Sequence, residues 1–366
     1  MKIAILTFHN AHNYGAVLQA WALKTYLATT GNDVEIIDYR TFVNTRSDFK
    51  NFFKRRNIAT LVFSVAFKFN RFYRRFTRFD NFIKNKLNPK STVYTPSDFA
   101  DLDYDLYIIG SDQVWNNKIT GSHDPVFWGD IEQKKDFKLI SYAASMGNET
   151  LNTQNTLQIQ DSLIRFDSIS VREKNTVDQL RKIVSKEIFH VFDPTFLLKA
   201  QDYNEILASP VVKGKYILVY QVAFSPKVEN VAKQIANQTN STIIHLESTI
   251  KYNIPVKNHF ETMGPMEYLS LIKYAHCIVT TSFHGTAFSI IYEKPFYLVN
   301  LDSHNNRPKS LLQDLGLTHR IIEKAEDCSF SPIDYSKIQS ALSEKRASSQ
   351  QFLQNSFIQP IVGKYA

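Results

Sequence analysis

The sequence predicts an α/β protein built from two doubly wound, parallel-sheet domains that face a cleft. Three observations carry that expectation. Short apolar, β-branched runs alternate with helical periodicity along most of the chain. The alternation lapses over 41–100 and restarts after a stretch holding proline and glycine at 208–214. The 366 residues exceed one ordinary core but suit two of about 150–200 residues each. The expected division is 1–209, with a basic aromatic helical insertion at about 41–100, and 210–366, ending in a helical tail.

Residues 2–7 read as a buried strand, followed by a polar turn from His9 to Ala16 that carries a glycine. Leu18, Trp21, Ala22, Tyr26 and Leu27 then recur at helical spacing, and Gly31 closes the helix. A second strand at 34–39 completes a βαβ unit, which calls for a parallel sheet and a right-handed crossover. Beyond the insertion, strands are expected at 106–109, 139–143, 168–173 and 190–195, with helices near 155–165 and from Lys174. The second half repeats the pattern, with strands at 216–220, 241–246, 277–281 and 295–300. Its helices are expected at 227–239, 265–274 and 286–292.

Composition narrows the class. Apolar residues at 43% and charged residues at 21% exclude a disordered chain. Cys277 and Cys328 support neither a disulfide framework nor a thiolate zinc site, and no His/Cys/carboxylate spacing suggests a metal. No signal-peptide core and no apolar run of about 18 residues is present, so action in the cytoplasm or on the inner face of the membrane is expected. The net charge of +8 sits in one place: residues 45–90 hold 13 basic residues against Asp48 and Asp80, leaving the remainder mildly acidic. Aromatics such as Phe72, Tyr73, Phe76, Phe79 and Phe82 interleave with that charge. Such a helix fits an anionic membrane surface, a nucleic-acid strand, or a buried packing role, the second being the weakest.

In open α/β sheets ligands sit outside the carboxyl ends of the strands, so the chemistry is expected in the loops there. Ser282-Phe283-His284-Gly285 offers an imidazole for acid–base work at a helix start, or a packed capping histidine. Asn13-Tyr14-Gly15-Ala16 repeats that arrangement in the first domain, without the glycine pattern of a nucleotide site. In Gly110-Ser111-Asp112-Gln113-Val114-Trp115, Asp112 serves as base or turn cap and Trp115 as sugar platform or core. Arg307 suits a grip on phosphate or carboxylate, or a solvated loop. His9, His12, Arg172 and Asp193 occupy strand-end positions more often used for capping or pairing.

Taken in order, these motifs resemble the polysaccharide pyruvyltransferase family. Those that carry the resemblance are Asn13 to Gln19, Gly110 to Trp115, Ile169 to Glu173, His190 to Thr195, Ser282 to Thr286, and Arg307 to Leu317. The resemblance implies a GT-B-like pair of Rossmann-type domains and transfer of the enolpyruvyl unit of phosphoenolpyruvate to a sugar diol. It implies His284 as acid, Asp112 as base or orienter, and Arg172 with Arg307 as cations for the donor. Asn13, Tyr14, Gly15, Ser111, Trp115, Ser282 and Gly285 would line the substrates. Some members carry arginine where this chain has Ser282, and Arg307 is the candidate to supply that charge. No cofactor or metal is expected; the partners would be phosphoenolpyruvate and a sugar acceptor, with a lipid-linked acceptor accounting for the basic segment. The competing readings are a nucleotide-sugar glycosyltransferase of the same architecture and a non-catalytic membrane-surface protein.

Overall fold

The computed structural model describes residues 1–40, 61–151, 155–222, 225–247, 259–301, 306–328 and 330–358. Strands β1 (Lys2–Leu6), β2 (Asp33–Tyr39), β3 (Lys90–Val93), β4 (Leu106–Ile109), β5 (Lys138–Ala144), β6 (Ser168–Val171) and β7 (Ile188–His190) form one sheet. Its order is β3-β2-β1-β4-β5-β6-β7, and neighbouring strands pair in parallel. Strands β8 (Tyr216–Gln221), β9 (Thr242–Glu247), β10 (His259–Phe260), β11 (Cys277–Thr280), β12 (Phe296–Val299) and β13 (Ile321–Ile322) form the second, in the order β10-β9-β8-β11-β12-β13. Both sheets are doubly wound, as expected, and each reverses direction next to its first strand. That reversal opens a crevice beside β1 and β4 in one sheet and beside β8 and β11 in the other.

Leu106–Ile109, Lys138–Ala144 and Cys277–Thr280 are buried along their whole length, because helices cover both faces of each sheet. The lobes also share apolar packing. Tyr14 stacks on Tyr268 across the junction with ring centres 4.6 Å apart, and Tyr203 packs edge-on against Phe288 at 5.2 Å. The helix Ser336–Ile358, expected as a tail of the second domain, returns to the first. Arg346 Nε donates to Phe196 O at 2.7 Å, and Lys138 Nζ donates to Phe357 O at 2.9 Å near the helix C-terminus, where a cation is favourable.

The helix Leu61–Phe82 carries much of the basic segment and lies across both lobes. Phe79 and Phe82 are buried, while Arg71 pairs with Glu261 at 2.8 Å and Arg75 donates to the Tyr14 hydroxyl at 2.9 Å. Arg78 donates to Thr262 O at 3.0 Å. In the described part the packing role therefore holds for these residues, and three cations proposed for a membrane face meet protein instead. Residues 45–60 lie outside the described residues. No described helix is long and apolar enough to cross a membrane. Because the Glu261 side chain is only 3% exposed, Arg71→Ala is expected to destabilise the protein by about 2 kcal/mol. Denaturant unfolding checks this, and Glu261→Gln in the same background should recover part of the loss.

The differences from expectation are local. The first helix starts at Tyr14 and the later one at Phe283, each three residues before its expected start, because Asn13 and Ser282 cap them. Strands β3, β10 and β13 are short edge or near-edge elements of two to four residues, too brief to show a period. A polar loop is expected at 305–309, whereas Asn306–Asp314 form a helix.

Candidate active site

Strand-end residues of both lobes converge where the lobes meet, and Arg172 is their hub. It follows β6, is 5% exposed, and its Nε donates to Glu173 Oε1 at 3.1 Å while Nη1 donates to Asp193 Oδ2 at 2.6 Å. Nη2 is buried, lies 3.8 Å from Asp112 Oδ1, and has no hydrogen-bond partner among the described residues. The guanidinium stacks over Phe283 of the second lobe at 4.5 Å. Burial opposes its charge, but Glu173, Asp193 and Asp112 together hold its pKa above the ordinary arginine value.

Asp193 ends the β7 loop and is fully buried. Its Oδ1 accepts from the Thr195 N–H at 3.0 Å and the Thr195 hydroxyl at 2.8 Å, and Ser111 Oγ approaches Oδ2 at 3.5 Å. Burial would raise its pKa, yet His284, Arg172 and the Thr195 N–H hold the carboxyl well below the usual carboxylate range. His284 enters from the second lobe, in the first turn of Phe283–Ile291. Its Nε2 lies 3.7 Å from Asp193 Oδ2. Gly15 packs against the ring at Nδ1, where a Cβ would overlap the atom outright, so only glycine permits this approach. The imidazole thus stands between Gly15 and Asp193 of the opposite lobe.

Arg307, in the first turn of Asn306–Asp314, faces the same space from the second lobe. It lines a small cavity with Arg172, His190, Asp193, Phe283 and Asp314. With the Gln113 amide oriented to satisfy both groups, its oxygen accepts from Arg307 Nη1 at 3.1 Å. Burial and the neighbouring Arg172 push the Arg307 guanidinium below its usual range. Burial likewise lowers His190, whose Nε2 faces Arg172 O at 3.0 Å. Two guanidiniums from different lobes thus face one space; Arg172 is already paired with Glu173 and Asp193, which leaves its Nη2 and Arg307 as the donors on offer to an anion with several oxygens.

Asp112 reaches this cluster through Arg172. Its φ of 64° is a left-handed conformation held by hydrogen bonds from Val114 N and Ser145 N to its carbonyl. Other expected site residues are used elsewhere. Trp115 is fully buried, stacks on Trp128 at 4.6 Å and donates to Phe127 O at 2.8 Å, so it is core and no sugar platform. Tyr14 is also buried, with its hydroxyl committed to Met263 O and Arg75, which makes it an inter-lobe anchor. Asn13 caps its helix by accepting from Gly15 N at 2.9 Å, and Ser282 does the same for Gly285 N at 3.3 Å. Those amides are therefore already partnered and are not offered to a ligand as expected. A Cβ on Gly285 would strike Thr280 Oγ1, so that glycine serves strand–helix packing. Ser111 Oγ donates to Ala143 O at 2.8 Å and borders Asp193.

Asp193 and Glu173 carry more of the site than their sequence positions suggest. Both follow strands, and the only local sign was a carboxylate next to Arg172 or before Pro194. His9, by contrast, is taken up in a separate network, with Nε2 facing Asp38 Oδ1 at 3.0 Å and Nδ1 facing Thr7 O.

The paired sheets and the crevice at their strand ends define a two-lobed α/β protein of the GT-B-like kind. In fold the chain is similar to a Methanocaldococcus jannaschii UDP-GlcNAc 2-epimerase in complex with UDP-GlcNAc and UDP, at 13% identity and a TM-score of 0.51, covering 98% of this chain and 100% of that one. It is similar to another UDP-N-acetylglucosamine 2-epimerase at 11% identity and a TM-score of 0.53, covering 100% of both chains. At such identities the likeness is one of fold alone. A family model for polysaccharide pyruvyl transferase matches residues 13–303, and the chain belongs to that family. No curated protein sequence matches it.

Proposed function

We propose that this chain transfers the enolpyruvyl unit of phosphoenolpyruvate to two hydroxyls of a sugar in a cell-surface polysaccharide precursor, giving a pyruvate ketal and phosphate. One observation supports the reading beyond the family: Arg172, whose buried Nη2 has no hydrogen-bond partner among the described residues, and Arg307 line one cavity with Asp193, and Asp193 lies 3.7 Å from His284. Phosphoenolpyruvate carries a carboxylate and a phosphate on one carbon, which suits two guanidiniums drawn from opposite lobes.

The chemistry assigns one task to each group. His284 gives a proton to the methylene carbon, and positive charge develops on the carbon bearing the phosphate ester. A first sugar hydroxyl attacks that carbon and passes its proton toward Asp112. The carbon–oxygen bond to phosphate breaks, with the electron pair leaving on phosphate. The second hydroxyl closes the ketal and its proton leaves with the phosphate, so one hydroxyl proton balances the new methyl group and the other the released phosphate. Arg172 and Arg307 stabilise charge gathering on the leaving phosphate. A lipid-linked acceptor at the inner membrane face, with peripheral contact through the cations of 45–90 other than Arg71, Arg75 and Arg78, belongs to the same reading, and cosedimentation with anionic vesicles tests that part.

Purified protein supplied with phosphoenolpyruvate and lipid-linked glycans should release phosphate in step with ketal formation, followed by mass spectrometry of the glycan. Arg307→Gln should raise the KM for phosphoenolpyruvate by at least about tenfold, since a charge-assisted hydrogen bond is worth roughly 1.5–3 kcal/mol. Stabilisation by nucleoside diphosphates and none by phosphoenolpyruvate, in a thermal-shift titration, would favour the glycosyltransferase reading instead.

A further inference from the structure

We infer that the ion pair between Asp314 and Lys345 is a latch between the lobes that presents Arg307 to the donor. The inference rests on the reading above, in which Arg307 grips an anionic donor, and it adds the device that sets that guanidinium in place. Asp314 and Lys345 are positioning residues, because both act through Arg307.

Three features support it. On the helix Asn306–Asp314, Arg307, Ser310, Leu311 and Asp314 follow one another at helical spacing, and together they form one wall of the cavity that Arg172 and Asp193 line from the first lobe. The setting of that single stripe decides where the Arg307 guanidinium lies. Secondly, Asp314 is the last residue of its helix, an end where the dipole disfavours a carboxylate. Its partners come from outside the helix: Oδ2 lies 3.2 Å from Lys345 Nζ and 3.8 Å from His190 Nε2. Thirdly, Lys345 sits on the stretch of Ser336–Ile358 that is fastened to the first lobe. There Arg346 Nε donates to Phe196 O, Gln350 Nε2 donates to Leu197 O at 3.2 Å, and Phe192 N donates to Ser349 Oγ at 2.9 Å. Lys345 Nζ also lies 5.8 Å from the centre of the Phe192 ring. All three anchors belong to the segment that carries Asp193. One ion pair therefore ties the helix bearing Arg307 to the segment bearing Asp193, and the cavity lies between them.

The test reads donor affinity and turnover in Asp314→Asn and in Lys345→Met, neither of which touches the Arg172 cluster. Each should raise the KM for phosphoenolpyruvate about fivefold, the upper range for a partly exposed ion pair, while kcat changes by less than about twofold. Exchanging the charges, with Asp314→Lys and Lys345→Asp in one chain, should return the KM to within about twofold of wild type. The neighbouring His190 does not oppose the exchange, because burial lowers its pKa and so favours the neutral ring. In an Arg307→Gln background, Asp314→Asn should add less than about 1.5-fold, since the pair acts through the guanidinium already removed. A KM unchanged in both single variants, or a fivefold loss that persists without Arg307, would overturn the inference. The same series is titrated with inorganic sulfate, followed by thermal shift. Sulfate binding that weakens with the pair only while Arg307 is present, in a protein that neither binds nor turns over phosphoenolpyruvate, would overturn the transferase reading and leave the latch standing. Binding of neither anion by the wild-type protein would overturn both.

Discussion

Phosphate release from phosphoenolpyruvate is expected to fall about a thousandfold in His284→Ala, within the range that a positioned acid–base group contributes. The His284 ring, from the second lobe, lies between Asp193 and Gly15 of the first. The substitution should leave donor binding nearly intact, because the two guanidiniums are independent of the ring. Single-turnover phosphate release should therefore collapse while phosphoenolpyruvate still protects the variant against thermal unfolding. His284→Gln, which keeps more of the volume between the lobes, should be as inactive as alanine and closer to wild type in stability. A variant that retains a third or more of the wild-type rate would remove His284 from the chemistry.

Arg172→Met is expected to cost both stability and function. Its loss leaves the carboxylates of Asp193 and Glu173, 0% and 4% exposed, without their buried cation. Breaking such a pair by removing one partner typically destabilises by about 3–5 kcal/mol. The sign of the pH dependence follows from Asp193. Its folded pKa is depressed, so its charge contributes stability above the ordinary carboxylate pKa of about 4, and that contribution is lost as pH falls through the lower folded value. The gap between wild type and Arg172→Met should thus be widest near neutral pH and narrow in acid, as read from urea midpoints at several pH values. Arg172→Lys should recover part of the stability and little of the activity, because an ammonium cannot reach Glu173, Asp193 and an anion at once. Equal midpoints for wild type and Arg172→Met at pH 7 would show that the cluster is not held by this residue.

Much of the fold is legible in the chain because its signals are local. Strands such as Leu106–Ile109 and Cys277–Thr280 announce themselves as apolar runs, and helix starts at Asn13 and Ser282 carry capping side chains. The ordered motifs also pointed to the family that the comparison shows. The short strands β3, β10 and β13 were missed because two to four residues carry no period, and their pairing depends on neighbours far away in sequence.

The site divides along the same line. Residue chemistry and position after a strand marked His284, Asp112, Arg172 and Arg307 from the sequence alone. Those cues report which groups stand at strand ends, and they say nothing of which partners already claim them. Only the tertiary structure sent Trp115 and Tyr14 into packing, spent the Gly15 and Gly285 amides on caps, turned Arg71 and Arg78 toward the other lobe, and set Arg75 on Tyr14. It also raised Asp193 from a turn residue to the carboxylate between Arg172 and His284. The physical reason is that helices and strands form from neighbours along the chain, whereas burial and charge pairing are set by side chains that meet across as many as 269 positions, as Gly15 and His284 do.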